Sequence, residues 1–230
     1  MYLHNRLYQP LAQVDDAAWQ ALLERHGFWE NFGVMLDADH QDIAFHILMH
    51  EGEVAHSKAM ADANFEFDAV AISSEVLKDP ILCEQIDRWS AMHAANYGAG
   101  VTTKMGLYVI RAGGTLGFHV DGPVFLRGAR VDLSLEPIQR GLMEAQASHR
   151  TILPLRFNPE DDFMLCGYRA PLKRGELFEF SNVLPHAYFN KGTEHTVLLV
   201  TTYLQEDLLP AEATYAGAAA IPHAATEPNQ

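Results

Sequence analysis

HRTILPLRFNPEDDFMLCGYRAPLKRGELFEFSNVLPHAYFNKGTEHTVLLVTTY, residues 149–203, is the stretch whose reading decides the fold. Short runs rich in aliphatic, aromatic and β-branched residues recur in it, at 151–157, 177–181, 187–190 and 196–203. Asn158-Pro159, Arg174-Gly175 and Lys191-Gly192 punctuate them as turn signals. Upstream the same texture continues at 105–111 (MGLYVIR) and 115–120 (TLGFHV), broken by Gly113-Gly114. Many short strands with Gly and Pro turns indicate a sandwich or jelly roll.

GFHVD, at 117–121, carries the chemistry of this block. His119 and Asp121 stand two apart in a strand, and such residues project from one face. His186 opens a later strand-like run in LPHAYFN. Two imidazoles and a carboxylate form the facial triad of non-haem Fe(II) sites, which leaves positions open for co-substrate and O2. The competing interpretation is that these are half-buried polar residues of an ordinary sheet.

The first hundred residues read differently. Residues 1–14 enter as an extended segment. Asp15 or Asp16 caps a short helix with Trp19, Leu22 and Leu23 as its apolar stripe, stopped by Gly27. Strands are expected at 42–50 and 67–72. His46 and His50 lie four apart, a ligand spacing for a helix but not for a strand. Asp79-Pro80 starts a helix to about Tyr97, with Ile81, Leu82, Ile86, Trp89 and Met92 facing a core. His93 on that helix is a weak ligand candidate. The expected class is therefore α+β, mainly β: a single catalytic domain over 1–209, with helices at 1–100 buttressing a β core at 101–205. Residues 210–230, rich in Ala, Pro, Thr and Glu, read as a mobile tail.

The formal net charge is −14 and the pI about 5.2. This argues against nucleic acid and anionic membrane surfaces as partners. The two cysteines, Cys83 and Cys166, fall in no zinc or redox spacing and fit a reducing cytoplasm. The N-terminus shows no secretion signal, and no apolar run is long enough for a membrane span.

Residues 105–203 resemble the catalytic core of the aspartyl/asparaginyl β-hydroxylase family. The matching positions are Arg150, Pro154, Gly167, Gly175, Phe178, Phe180, Asn182, His186, Asn190 and Gly192, with GFHVDGP upstream. The resemblance implies a double-stranded β-helix, the jelly-roll or cupin-like fold. It implies an Fe(II)- and 2-oxoglutarate-dependent oxygenase with His119, Asp121 and His186 as iron ligands. The expected reaction is hydroxylation of a C–H in a carboxylate-bearing, amino-acid-like small molecule, with O2 consumed and succinate and CO2 released. An Asp at 121, where related halogenases carry a small residue, favours hydroxylation over halogenation.

The sequence departs from that family in two places. The family usually carries an Arg about ten residues after the distal His, paired with the far carboxylate of 2-oxoglutarate. Here Thr196 stands there, preceded by His195. Either these two take over the role, or Arg150 on another strand does; Arg111 is a reserve candidate. Secondly, the link from Asp121 to His149 is long, which suggests a lid over 122–148, with a short helix at 136–147. Arg127 and Arg130 in it are candidates to clamp a substrate carboxylate. Asn182 and Asn190 flank His186 as orienting groups or as turn residues, the turn being favoured for Asn190. Two rivals remain: a cupin-type metal-dependent dioxygenase or isomerase that needs no 2-oxoglutarate, and a jelly-roll binding module without activity.

Overall fold

The computed structural model describes residues 8–26, 42–49, 67–71, 78–119, 148–181 and 184–205. In chain order the elements are β1 (Gln9–Gln13), α1 (Ala17–Arg25), β2 (Asp42–Met49), β3 (Phe67–Ala71) and α2 (Pro80–Tyr97). Then follow β4 (Gly100–Ile110), β5 (Thr115–His119), β6 (Ser148–Arg156), β7 (Asp162–Leu165), β8 (Tyr168–Ala170), β9 (Glu176–Phe180), β10 (His186–Phe189) and β11 (Thr196–Gln205). The expected tail, the lid segment with its helix, Gly27 and His50 all lie outside the described residues.

The strands form two sheets. The larger runs β1-β9-β6-β11-β4-β2-β3, and the smaller β5-β10-β7-β8. Every pairing is antiparallel except β2 with β3. The eight strands β4–β11 therefore make two four-stranded layers, β9-β6-β11-β4 against β5-β10-β7-β8. This is the double-stranded β-helix, a mainly β fold buttressed by two helices. Strands β7 and β8 were not legible as strands; each is too short to display an alternation.

Two cores follow from the pleat. Alternate residues of a strand face opposite sides, and the larger sheet is covered on both. Its outer face packs Met105, Leu107, Leu153, Leu155, Val197 and Leu199 against Trp19, Leu22 and Leu23 of α1 and Leu82 and Trp89 of α2. Its inner face packs Ile110, Ile152, Phe178, Leu198 and Val200 against Phe163, Leu165 and Tyr188 of the smaller sheet. Among the described residues no helix is long and apolar enough to cross a membrane.

The helix ends are set by carboxylates. Asp15 Oδ1 accepts from the Ala17 amide at 3.0 Å. Asp79 caps α2 by accepting from the Ile81 amide at 2.8 Å, and Pro80 supplies the fixed φ of the first turn. Asp79 is also buried against Arg25 and His26, at 2.9 and 2.7 Å, and so clamps the end of α1 to the start of α2. Burial pushes its carboxyl up, but hydrogen bonds from His26, Ile81 and Arg25 outweigh that and hold it below the ordinary range.

His93 is a core residue of this helix–sheet interface. It is fully buried, stacks on Tyr203 at 5.3 Å and on Tyr97 at 6.0 Å, and its Nε2 lies 3.1 Å from Thr151 Oγ1. The Thr151 hydroxyl donates to Thr201 Oγ1, which also accepts from Trp89 Nε1. His93 Nε2–H is then the donor to Thr151, and the ring is neutral. Burial and the nearby His149 lower its pKa to about 4, with Glu179 opposing. Between the ordinary His range near pH 6.5 and pH 4 the unfolded chain binds the extra proton, so acid favours unfolding in that window. We expect stability to fall as pH drops from about 6.5 to 4, by up to about 3 kcal/mol from this group. His93→Gln should flatten that slope in urea denaturation measured across the window.

Candidate functional site

A cavity of about 60 Å³ opens between the two sheets. One water fills about 10–15 Å³ on that measure, so there is room for several waters or a small organic ligand. Its wall is mostly apolar: Ile110, Leu116, Ile152, Phe163, Leu198 and Val200 contribute, with Tyr108 and Tyr188. The charged or metal-ligating side chains in its lining are His186 and Arg150.

His186 is the first residue of β10 and is 4% exposed. The aromatic rings of Phe180 and Phe163 flank it, at 4.9 and 6.5 Å between centroids. Its Nδ1 donates to the Leu184 carbonyl at 2.9 Å. This is the usual support of a metal-binding imidazole: the proton is kept on Nδ1 and the lone pair on Nε2. The register of β10 with β5 sets His186 directly opposite His119, the last residue of β5. Two of the three expected iron ligands are thus cross-strand neighbours in the backbone. Asp121 lies outside the described residues, two positions beyond His119, as do Arg127, Arg130 and Asn182.

Arg150 is buried on β6 and faces the cavity at the same end as His186. Its register partners are Phe180 on β9 and Thr202 on β11. A guanidinium there is suited to a carboxylate ligand.

The far end of the barrel is closed by a polar knot. Asp161 Oδ2 accepts from Thr196 Oγ1 at 2.5 Å, Tyr188 Oη at 2.8 Å and the Asn158 amide at 3.0 Å. Its Oδ1 accepts from the Lys191 amide at 3.1 Å. Asn190 donates to the carbonyls of Ile110 and Glu194 and accepts from Asn158 and the Gly192 amide. Any side chain at Gly192 would strike Asn158, 2.0 Å from the added carbon. Asn190 therefore ties the turn between β10 and β11, and orienting His186 is not its task. Burial and the Asp161 carboxylate push the Tyr188 phenol far above its ordinary range.

The knot engages one of the residues expected to serve a co-substrate carboxylate. Thr196 is fully buried, its hydroxyl is committed to Asp161, and it is not among the cavity's lining residues. His195 accepts the Ala112 amide proton at Nδ1. Burial, Arg156 and Arg111 lower its pKa, so the ring is neutral at pH 7 and offers a carboxylate no charge. Both residues expected to serve 2-oxoglutarate, His195 and Thr196, thus have partners within the chain. Arg150 is the expected residue that the cavity does contain.

No family model matches the chain, and no curated protein matches it. Among solved structures it is similar to a non-heme monooxygenase, ThoJ, in complex with nickel, at 14% identity and a TM-score of 0.44, covering 87% of this chain and 74% of that one. It is also similar to an oxidoreductase of the 2OG-Fe(II) oxygenase family from Burkholderia pseudomallei, at 12% identity and a TM-score of 0.38, covering 55% and 59%. A third is a predicted oxalate decarboxylase from Thermotoga maritima, at 17% identity and a TM-score of 0.31, covering 50% and 71%.

The knot makes a stability prediction. Asp161→Ala strips several buried donors of their acceptor and should cost at least about 3 kcal/mol. Thr196→Val removes one of them and should cost about 1–2 kcal/mol, leaving ligand affinity at the cavity unchanged. Urea unfolding, with ligand titration of the folded variants, checks both.

Proposed function

We propose that the chain is a non-haem Fe(II)- and 2-oxoglutarate-dependent oxygenase that hydroxylates a C–H of an amino-acid-like or other carboxylate-bearing small molecule. The observation that carries this reading is the register of His186 opposite His119, with the His186 tautomer fixed by Leu184, at the wall of a mostly apolar cavity. Asp121 completes the ligand set. Two neutral imidazoles and a carboxylate, without a thiolate, suit Fe(II). Iron held there supplies, with 2-oxoglutarate and O2, the oxidising power for hydroxylation, with succinate and CO2 as co-products.

The chain's own residues position and protect. Arg150 binds a carboxylate of the co-substrate or substrate. Phe163, Phe180, Leu198 and Val200 exclude water around it, which strengthens that charge pairing. Arg127 and Arg130, close in sequence to Asp121, are the candidates to hold the substrate's carboxylate.

A second reading has an observation of its own. The Thr196 hydroxyl is engaged by Asp161 and the inner cavity wall is apolar, which favours a cupin-type metal enzyme that works without 2-oxoglutarate. The two readings part in one experiment. Under the first, anaerobic protein loaded with Fe(II) develops a weak visible metal-to-ligand charge-transfer band on addition of 2-oxoglutarate. In air, succinate then forms from 2-oxoglutarate. Arg150→Ala should raise the 2-oxoglutarate or substrate concentration required by about tenfold or more. Iron binding without the band and without succinate would favour the second reading.

A further inference from the structure

The cavity between the sheets is graded along its length, and the strand registers give the order. At the His186 end stand Arg150 and Phe180, which are register partners. One step inward on the larger sheet are Ile152 and Val200, paired with each other. Opposite them on the smaller sheet, Tyr188 pairs with Phe163 on one side and Leu116 on the other. Leu198 and then Ile110 follow on the larger sheet, and Ile110 is opposite Thr196 of the polar knot. Same-face neighbours on a strand are about 7 Å apart, which is the depth from His186 to Tyr188.

This inner part is apolar by arrangement as well as by composition. Among the described residues, the lining beyond His186 and Arg150 carries no charge. Tyr188 gives the cavity its ring and donates its hydroxyl away from it, to Asp161 at 2.8 Å. Asp161 accepts at both oxygens, from Thr196, Asn158 and Lys191 as well, so a carboxylate stands one hydroxyl behind the inner wall.

Two kinds of ligand end meet opposite conditions there. A carboxylate pushed to the inner end would lose its water and approach a like charge behind Tyr188. An alkyl group gains by leaving water, about fourfold in affinity per methylene, the equivalent of about 0.8 kcal/mol. Size narrows the choice. An apolar cavity of about 150 Å³ takes benzene. At about 60 Å³ this one suits a group of about three carbons.

We propose that the cavity receives the short apolar end, isopropyl in size, of a monocarboxylic acid whose acid group points towards His186. The proposal rests on reading the cavity as the ligand site, as the proposed function does, and narrows the carboxylate-bearing ligand to one with an apolar tail. A substrate and a 2-oxo acid co-substrate of this shape share that chemistry.

The test compares two acids of one shape on the full chain without metal. 5-Methylhexanoate has the outline of glutarate with an isopropyl group in place of the distal carboxylate. Calorimetric titration should show saturable binding of 5-methylhexanoate, at least about tenfold tighter than glutarate. Val200→Phe fills the cavity and should weaken 5-methylhexanoate about tenfold or more, with circular dichroism showing that the variant is folded. Should it not fold, Leu198→Ala decides: the enlarged inner end should bind 5-phenylpentanoate at least about tenfold more tightly than the wild type does. Glutarate binding as tightly as 5-methylhexanoate, no binding of 5-methylhexanoate by the wild type, or affinities unmoved in the folded variants overturns the proposal. Anaerobic iron-loaded protein then identifies the source. A charge-transfer band with 5-methyl-2-oxohexanoate and none with 2-oxoglutarate makes the acid the chelating co-substrate. A band with 2-oxoglutarate that leaves 5-methylhexanoate binding intact makes it the substrate. A band with 2-oxoglutarate that abolishes 5-methylhexanoate binding puts the dicarboxylate in the cavity, and overturns the proposal while the oxygenase reading stands. No band with either 2-oxo acid removes the oxygenase reading and leaves the metal-free result standing.

Discussion

The structure depends on one strand being buried on both faces. β11 lies between β4 and β6 in the larger sheet, and its pleat sends successive residues to different environments. Val197, Leu199, Thr201 and Tyr203 face the helices, where they meet Trp89 and His93. Thr196, Leu198, Val200 and Thr202 face the smaller sheet. A slip by one residue would bring Thr196 and Thr202 under the helices and the bulk of Tyr203 into the cavity, so the register is strongly specified. From it follow the positions of Arg150 and Lys104, which are register neighbours of Thr202.

The barrel is polarised along its axis. One end gathers His186, Arg150 and the register position of His119. The other is closed by Asp161 with Tyr188, Thr196, Asn158 and Asn190. An apolar wall separates them. The His186 end is thus the one suited to a charged ligand, while the Asp161 end spends its hydrogen bonds on holding β10 and β11 together. Within that division the Thr196 hydroxyl has a structural partner in Asp161.

Much of this was legible in the chain. The strands of the core showed in alternation and turn residues, and both helices in their caps and apolar stripes. Pro80 after Asp79 marked a helix start that the structure reproduces. What was not legible depends on partners distant in sequence. Nothing near Thr196 announces Asp161. β7 and β8 are too short to alternate visibly, and the turn between them uses a left-handed Cys166 beside Gly167, which composition alone does not suggest. His93, considered as a ligand, belongs instead to the aromatic stack under the sheet.

The central claim is that His119 and His186 hold one metal ion at the cavity. Anaerobic Fe(II) titration of the full chain tests it most directly, with His119→Ala and His186→Ala measured beside the wild type. The account predicts one tightly bound Fe(II) per wild-type chain and loss of that binding in both variants, each still folded. Binding of Fe(II) at the same stoichiometry and affinity in the folded His186→Ala variant would contradict it.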